Sequence, residues 1–293
     1  MTKEGKNLKI IGLRPSKGGD LITSLPVLHL LEKKYPNSYK TVSVAKKNSV
    51  FAQLLYNHPL IDRIHINEIL ENSNKEDIDF FKSHDLIIPP NLQHPDPYWY
   101  NKQHMVQENF TMMGLDWCDL EPELRAPRLV KWFDVEHSPK TVAIWPMAGN
   151  GLDIKRSPTK QWYKKLLLRI MKETDFKIIQ FGHPNDFDIL DASECCNGRF
   201  FVAKQLDFFA QIKRTLGCSF MIGTDAGSSL VMGAYEFPQI TLLTDWMDNH
   251  VSNFEALSPM NKNNISIFER GGCDNINQDE VIKAVKYVSI KTK

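Results

Sequence analysis

The chain has 293 residues, long for one hydrophobic core and comfortable for two, because single cores stop growing at roughly 250 to 300 residues. Its 36 Lys and Arg nearly balance 35 Asp and Glu, and a formal charge of +1 excludes a global field for gathering nucleic acid or anionic membrane. Any anion must therefore be held locally. No apolar run reaches the roughly 20 residues of a bilayer span, and residues 1–6 lack the apolar stretch of a signal peptide. A cytoplasmic protein with at most peripheral membrane contact is expected. The five cysteines are odd in number and contain no C-x-x-C pair, so neither a disulfide framework nor a zinc site is expected, and no metal or cofactor is called for.

Residues 8–13 form a short apolar run ended by Gly12 and Pro15, and an amphipathic stretch follows at 27–34. That order reads as strand, loop and helix. Further strands are predicted at 41–45, 61–66 and 85–88, the last stopped by Pro89 and Pro90. Residues 91–100, rich in Pro, His and aromatics without a period, read as a long loop ahead of a helix over 104–113. The stretch 120–139 carries Pro122, Pro127 and Pro139 among charges and is the most linker-like part of the chain.

The alternation then restarts, with strands predicted at 141–145, 177–181, 220–223 and 239–243. Helices are predicted over 159–172, 207–216, 226–235 and 279–288. Alternating strands and helices imply parallel sheets with crossover helices. The expected fold class is α/β, with two doubly wound Rossmann-like domains, 1–135 and 136–293, facing a cleft. The last helix is allowed to pack back on the first domain. Ligands of such sheets sit outside the carboxyl ends of the strands, so the loops there are the places to look for chemistry.

The first such loop spans Ser16 to Pro26, where Gly18 and Gly19 permit a sharp turn and Asp20 stands near a helix start. Asp20 is either a catalytic carboxylate or a helix cap, and spacing alone favours the cap, although Ser24 ahead of Pro26 is an alternative capping residue. The second loop, 145–158, holds Asn150, Gly151 and Lys155 and ends on Ser157 and Pro158 as a helix start. Exposed amides beside Lys155 suit a phosphate, but the spacing is not that of a Walker loop, and a plain glycine-rich turn is equally consistent.

The third loop, Asp225, Ala226, Gly227, Ser228 and Ser229, leads from an apolar strand into a helix whose amides and hydroxyls could hold a diphosphate without metal. An Asp or Thr cap on a helix that needs small residues for packing is the competing reading. In the fourth, 181–186, Asp186 could accept from a ribose, although turn chemistry explains the same residues.

Taken in order, these loops resemble glycosyltransferase family 9, the heptosyltransferases of lipopolysaccharide core assembly. The resemblance is carried by Gly19-Asp20 with Thr23 and Pro26, by 104–114, by 153–162 with its Lys-x-x-Pro-x-x-x-Trp spacing, and by 223–234 followed by Phe237-Pro238. It implies a GT-B fold and an inverting, metal-independent transfer from a nucleotide sugar, of the ADP-heptose kind, to a glycan or glycolipid acceptor of lipopolysaccharide or capsule type. It further implies Asp20 as general base, Lys155 as partner of the diphosphate with Asn150 and Gly151 beside it, residues 225–229 as amide cradle, and Asp186 as ribose ligand where the family has Glu. Lys17, Gly19, His94, Trp99 and His104 are candidates for the acceptor side. Leu230 stands where the family carries a His and Ala226 where it carries a Thr. The basic acceptor surface is reduced to scattered Lys17, Lys46, Lys47 and Lys102. Two alternatives stay open: a nucleotide-sugar epimerase, for which His183 is the one suggestive residue, and an idle relative that binds a sugar nucleotide without turning it over. Oligomeric state is not legible.

Overall fold

The structure, a computed structural model, describes residues 9–12, 18–67, 79–80, 82–88, 104–148, 156–191, 198–245 and 258–291. The chain divides into two units, residues 1–132 and 133–293. Neighbouring aromatics mark the division: Trp132 packs on Tyr56 of the first unit at 5.8 Å, and Phe133 meets Phe209 and Tyr235 of the second edge-on at 5.1 and 6.0 Å.

The first unit runs β1 (Lys9–Gly12), α1 (Gly18–Thr23), α2 (Pro26–Lys34), β2 (Tyr39–Ala45), α3 (Ser49–Ala52), β3 (Arg63–Asn67), β4 (Leu86–Ile88) and α4 (Met105–Met112). The strands pair in parallel in the order β3-β2-β1-β4. Helix α1 was not expected, because Gly18 and Gly19 are poor helix formers. Burial of Leu21 and Ile22 outweighs that propensity. Ser24 does not cap the next helix: its hydroxyl donates to the Leu21 carbonyl at 2.9 Å, and α2 begins after Leu25 with Pro26 in its first turn. Val27, Leu28, Leu30 and Leu31 form the buried stripe of α2.

His58 is 7% exposed, and its Nδ1 accepts from the Leu60 N–H at 3.3 Å. Burial, helped by the nearby His29, pushes its imidazole from 6.5 down to about 4. Below pH 6.5 the unfolded chain gains a proton that the folded unit refuses until about pH 4. Stability should therefore fall through that window as acid is added, by up to about 3 kcal/mol, and level off beneath it. Urea midpoints against pH check this, and His58→Gln should flatten the slope.

The second unit runs β5 (Thr141–Trp145), α5 (Lys160–Glu173), β6 (Lys177–Gln180), β7 (Phe200–Val202), α6 (Phe208–Leu216), β8 (Phe220–Thr224), α7 (Gly227–Ala234), β9 (Gln239–Thr244), β10 (Asn264–Glu269) and α8 (Gln278–Lys291). All its pairings are parallel, in the order β10-β9-β8-β5-β6-β7. Numbered from β5, this is 6-5-4-1-2-3, the doubly wound Rossmann order, whose direction reverses between β5 and β8.

Strands β5, β8 and β9 are buried at every position, as parallel strands covered on both faces must be. One face, through Val142, Ile144, Ile178, Phe200, Ile222 and Leu242, packs on Leu166, Leu167 and Ile170 of α5 and Val281 and Val285 of α8. Helix α8 thus belongs to the second unit's own core. On the other face, Trp145 donates to Thr215 Oγ1 of α6 at 3.0 Å and stacks on Phe181. No described helix is long and apolar enough to cross a membrane.

Candidate functional site

In a doubly wound sheet the crevice opens where strand order reverses, outside the carboxyl ends. In the second unit that point lies between β5 and β8, so the loops leaving them are the ones to inspect. They are joined by a side chain that sequence reasoning passed over. Arg156 Nη2 donates to the Asp225 carboxylate at 2.6 Å and to the Asp225 carbonyl at 2.7 Å. The Asp225 side chain is 4% exposed and that of Arg156 19%, so the pair is desolvated and its geometry is correspondingly constrained. The only local sign had been a second basic residue beside Lys155.

Asp225 is therefore not a helix cap. The residue at the N-cap of α7 is Ala226, extended at φ −144° and ψ 163°, with no side-chain bond to the helix. The first intrahelical bond runs from Leu230 N–H to the Ala226 carbonyl, which leaves the amides of Gly227, Ser228 and Ser229 without helical acceptors. An uncapped helix start carries a partial positive charge and favours an anion. The serines differ in role. Ser229 donates its hydroxyl to the Thr224 carbonyl at 2.6 Å and ties helix to strand, a closeness that Gly223 permits, whereas Ser228 makes no side-chain hydrogen bond among the described residues. Thr224 Oγ1 is buried without a partner.

The loop after β5 is closed at its base, where Ser157 Oγ accepts from the Ala148 N–H at 2.8 Å. This corrects the expected helix start at Ser157 and Pro158. Thr159 caps α5 by accepting from the Trp162 N–H at 3.3 Å, and its own N–H donates to Asp274 at 2.7 Å. Asn150, Gly151 and Lys155 lie outside the described residues, as do Lys17, His94 and Trp99.

Asp186 follows β6, the strand beside the reversal. It is 6% exposed; its Oδ2 accepts from the His183 N–H at 2.8 Å, its carbonyl accepts from Lys204, and its Oδ1 is buried without a partner. Burial raises its carboxyl above the usual range, opposed in part by the His183 bond. A carboxyl whose folded pKa is raised costs stability when ionised, so the cost is present at neutral pH and fades as pH falls through the folded value. Asp186→Asn should accordingly raise the thermal midpoint near pH 7, with an advantage that shrinks in acid. A lower midpoint at pH 7 would argue against this account. Gly182, at φ +139°, makes the turn possible, because a Cβ there would collide with Asp186 Oδ2. Gly182→Ala should cost about 1–3 kcal/mol, read from urea unfolding.

In the first unit, strand order reverses between β1 and β4, and Asp20 lies in the loop side of that point, as the third residue of α1. It stands inside the first turn and not at the cap, where a carboxylate complements the helix dipole. Around it, the Thr23 hydroxyl donates to the Asp20 and Gly19 carbonyls at 3.2 and 3.3 Å and accepts from Asn109 Nδ2 of α4 at 2.9 Å. The segment bearing Asp20 is thereby fixed to α4. His104 starts α4, its Nδ1 accepting from the Val106 N–H at 3.1 Å, so this ring has a structural duty that the sequence reading did not foresee. Among the described residues no group of three His, Cys, Asp or Glu gathers as a metal site would require.

Two parallel, doubly wound units along one chain are the architecture of the GT-B glycosyltransferases, and this chain has that fold. Among proteins of that fold it is similar to heptosyltransferases. The ADP-heptose lipopolysaccharide heptosyltransferase II of E. coli superposes with a TM-score of 0.70 at 14% identity, over 97% of this chain and 99% of that one. A glycosyltransferase family 9 protein of Veillonella parvula gives 0.69 at 13%, over 98% and 99%. The E. coli heptosyltransferase WaaC, solved with ADP, gives 0.66 at 14%, over 96% and 100%. No family model and no curated protein matches the sequence.

Proposed function

We propose that the protein is an inverting, metal-independent glycosyltransferase that moves a sugar, heptose by analogy with its structural neighbours, from an ADP-sugar to a glycan acceptor of lipopolysaccharide or capsule type. The observation that carries this reading is the uncapped start of α7 at the strand-order reversal, held by Arg156 through Asp225, in a chain that matches heptosyltransferases from end to end.

In this reading the amides of 226–229 receive the donor diphosphate, and Lys155, with Asn150 and Gly151 beside it, supplies a positive charge. Charge that accumulates on the leaving diphosphate is stabilised by dipole and cation together, with no metal needed. The buried Oδ1 of Asp186 accepts from a ribose hydroxyl, which gives a destabilising carboxylate a use. Asp20 removes the proton of the attacking acceptor hydroxyl, as inversion requires a base on the face away from the leaving group. Lys17, Gly19, His94 and Trp99 serve the acceptor. The cytoplasm, where nucleotide sugars are made, is the proposed location.

The test is turnover of ADP-heptose with a heptose-deficient lipopolysaccharide core in the presence of EDTA. Release of ADP, a gain of one heptose in acceptor mass and an inverted anomeric centre by NMR are expected. Conversion of a nucleotide sugar to its epimer without acceptor, or donor binding without any transfer, would contradict the proposal.

A further inference from the structure

We propose that the second unit carries another ligand site, at the amino end of its sheet, for a small phosphate monoester bearing an apolar group. The site does not depend on the transferase reading. In the parallel ladder Thr141 pairs with Lys177, and Ile179 pairs with Phe201, so these four side chains share one face. It is the face away from Val142, Ile178 and Phe200 of the core. Helix α6 covers this face over β5 and Ile179 of β6 is still buried, but at the edge strand β7 Phe201 is left 46% exposed. The result is a cavity of about 330 Å³ lined by those four residues together with Ser138 and Arg214.

The chemistry of the lining is specific. Lys177 and Arg214 make no side-chain ion pair or hydrogen bond among the described residues, whereas the neighbouring Lys140 is matched by Asp175. Arg214 lies in the last turn of α6. Two unmatched cations on one hollow, with Ser138 beside them and the buried Thr141 at its base, suit a dianion with several acceptor oxygens better than a neutral ligand. Ile179 and Phe201 offer an apolar floor for a ring or short chain. The volume sits at the small end of ligand pockets, so the occupant is a compact molecule and not a nucleotide sugar. Thr141 and Lys177 begin their strands, which puts the cavity a strand length, on the order of 15 Å, from the carboxyl-end loops.

Calorimetric titration with phenyl phosphate and with inorganic phosphate, in buffer containing excess ADP, tests the assignment. Saturable binding of phenyl phosphate, tighter than that of inorganic phosphate and unchanged by ADP, is expected. Lys177→Gln with Arg214→Gln should weaken it by at least about tenfold, and Phe201→Ala by about threefold or more, with thermal midpoints near wild type because these side chains are at the surface. Absence of binding at millimolar phenyl phosphate, displacement by ADP, or full affinity in the double variant would overturn the proposal.

Discussion

Asp20→Asn is expected to lower transfer by about 10²- to 10⁴-fold, the range that a positioned general base contributes, while donor affinity changes little. The substitution keeps the size of the side chain and its place in the first turn of α1, and the bonds that fix this turn run from Asn109 Nδ2 to the Thr23 hydroxyl and from that hydroxyl to the Asp20 carbonyl, not to its carboxylate. The fold should persist. A general base acts on the acceptor proton in the transition state, so the loss belongs in kcat. Steady-state turnover paired with ADP titration separates the two quantities. Turnover at the wild-type rate would remove Asp20 as base, whereas a parallel loss of donor affinity would make it a structural carboxylate.

Arg156→Ala is expected to be the most destabilising single change at the candidate site. It removes the Arg156 guanidinium from the Asp225 carboxylate, whose side chain is 4% exposed, and breaking one side of a buried pair costs about 3–5 kcal/mol. For a unit of this size that shifts the thermal midpoint down by roughly 10 °C. Because Arg156 also holds the Asp225 carbonyl just ahead of α7, ADP affinity should fall with it. Arg156→Lys retains charge but loses the planar fork, and an intermediate effect is expected. Thermal melting and ADP titration of both variants check this. A Lys variant that behaves like wild type would show that fork geometry plays no part, whereas one as impaired as the Ala variant would show that charge alone does not suffice.

The segments at 141–145 and 220–223 were legible as strands because burial on both faces leaves a nearly unbroken apolar run, whereas 41–45 and 177–181 were legible from shorter apolar clusters mixed with polar residues. The edges were harder. β7 has three residues and β10 is half-buried, so neither offers a full apolar run, and both depend on a neighbour in the sheet. Helix α1 was hidden by its glycines, since what stabilises it is tertiary burial of Leu21 and Ile22. At the site, glycine and serine spacing pointed to the start of α7, but not to what braces it. Arg156 and Asp225 are 69 residues apart, and nothing local announces that pair. Capping was likewise decided by geometry: His104 and Thr159 took positions that propensity had given to no residue or to Ser157.

The most direct measurement is a calorimetric titration of the whole chain with ADP and with ADP-heptose in EDTA, alongside a thermal melt at a ligand concentration a hundred times the dissociation constant. The account predicts one saturable site for each ligand, a gain of about 2.7 kcal/mol in stability at that concentration, and weakened binding in Arg156→Ala. A chain that binds neither ADP nor any sugar nucleotide would contradict it.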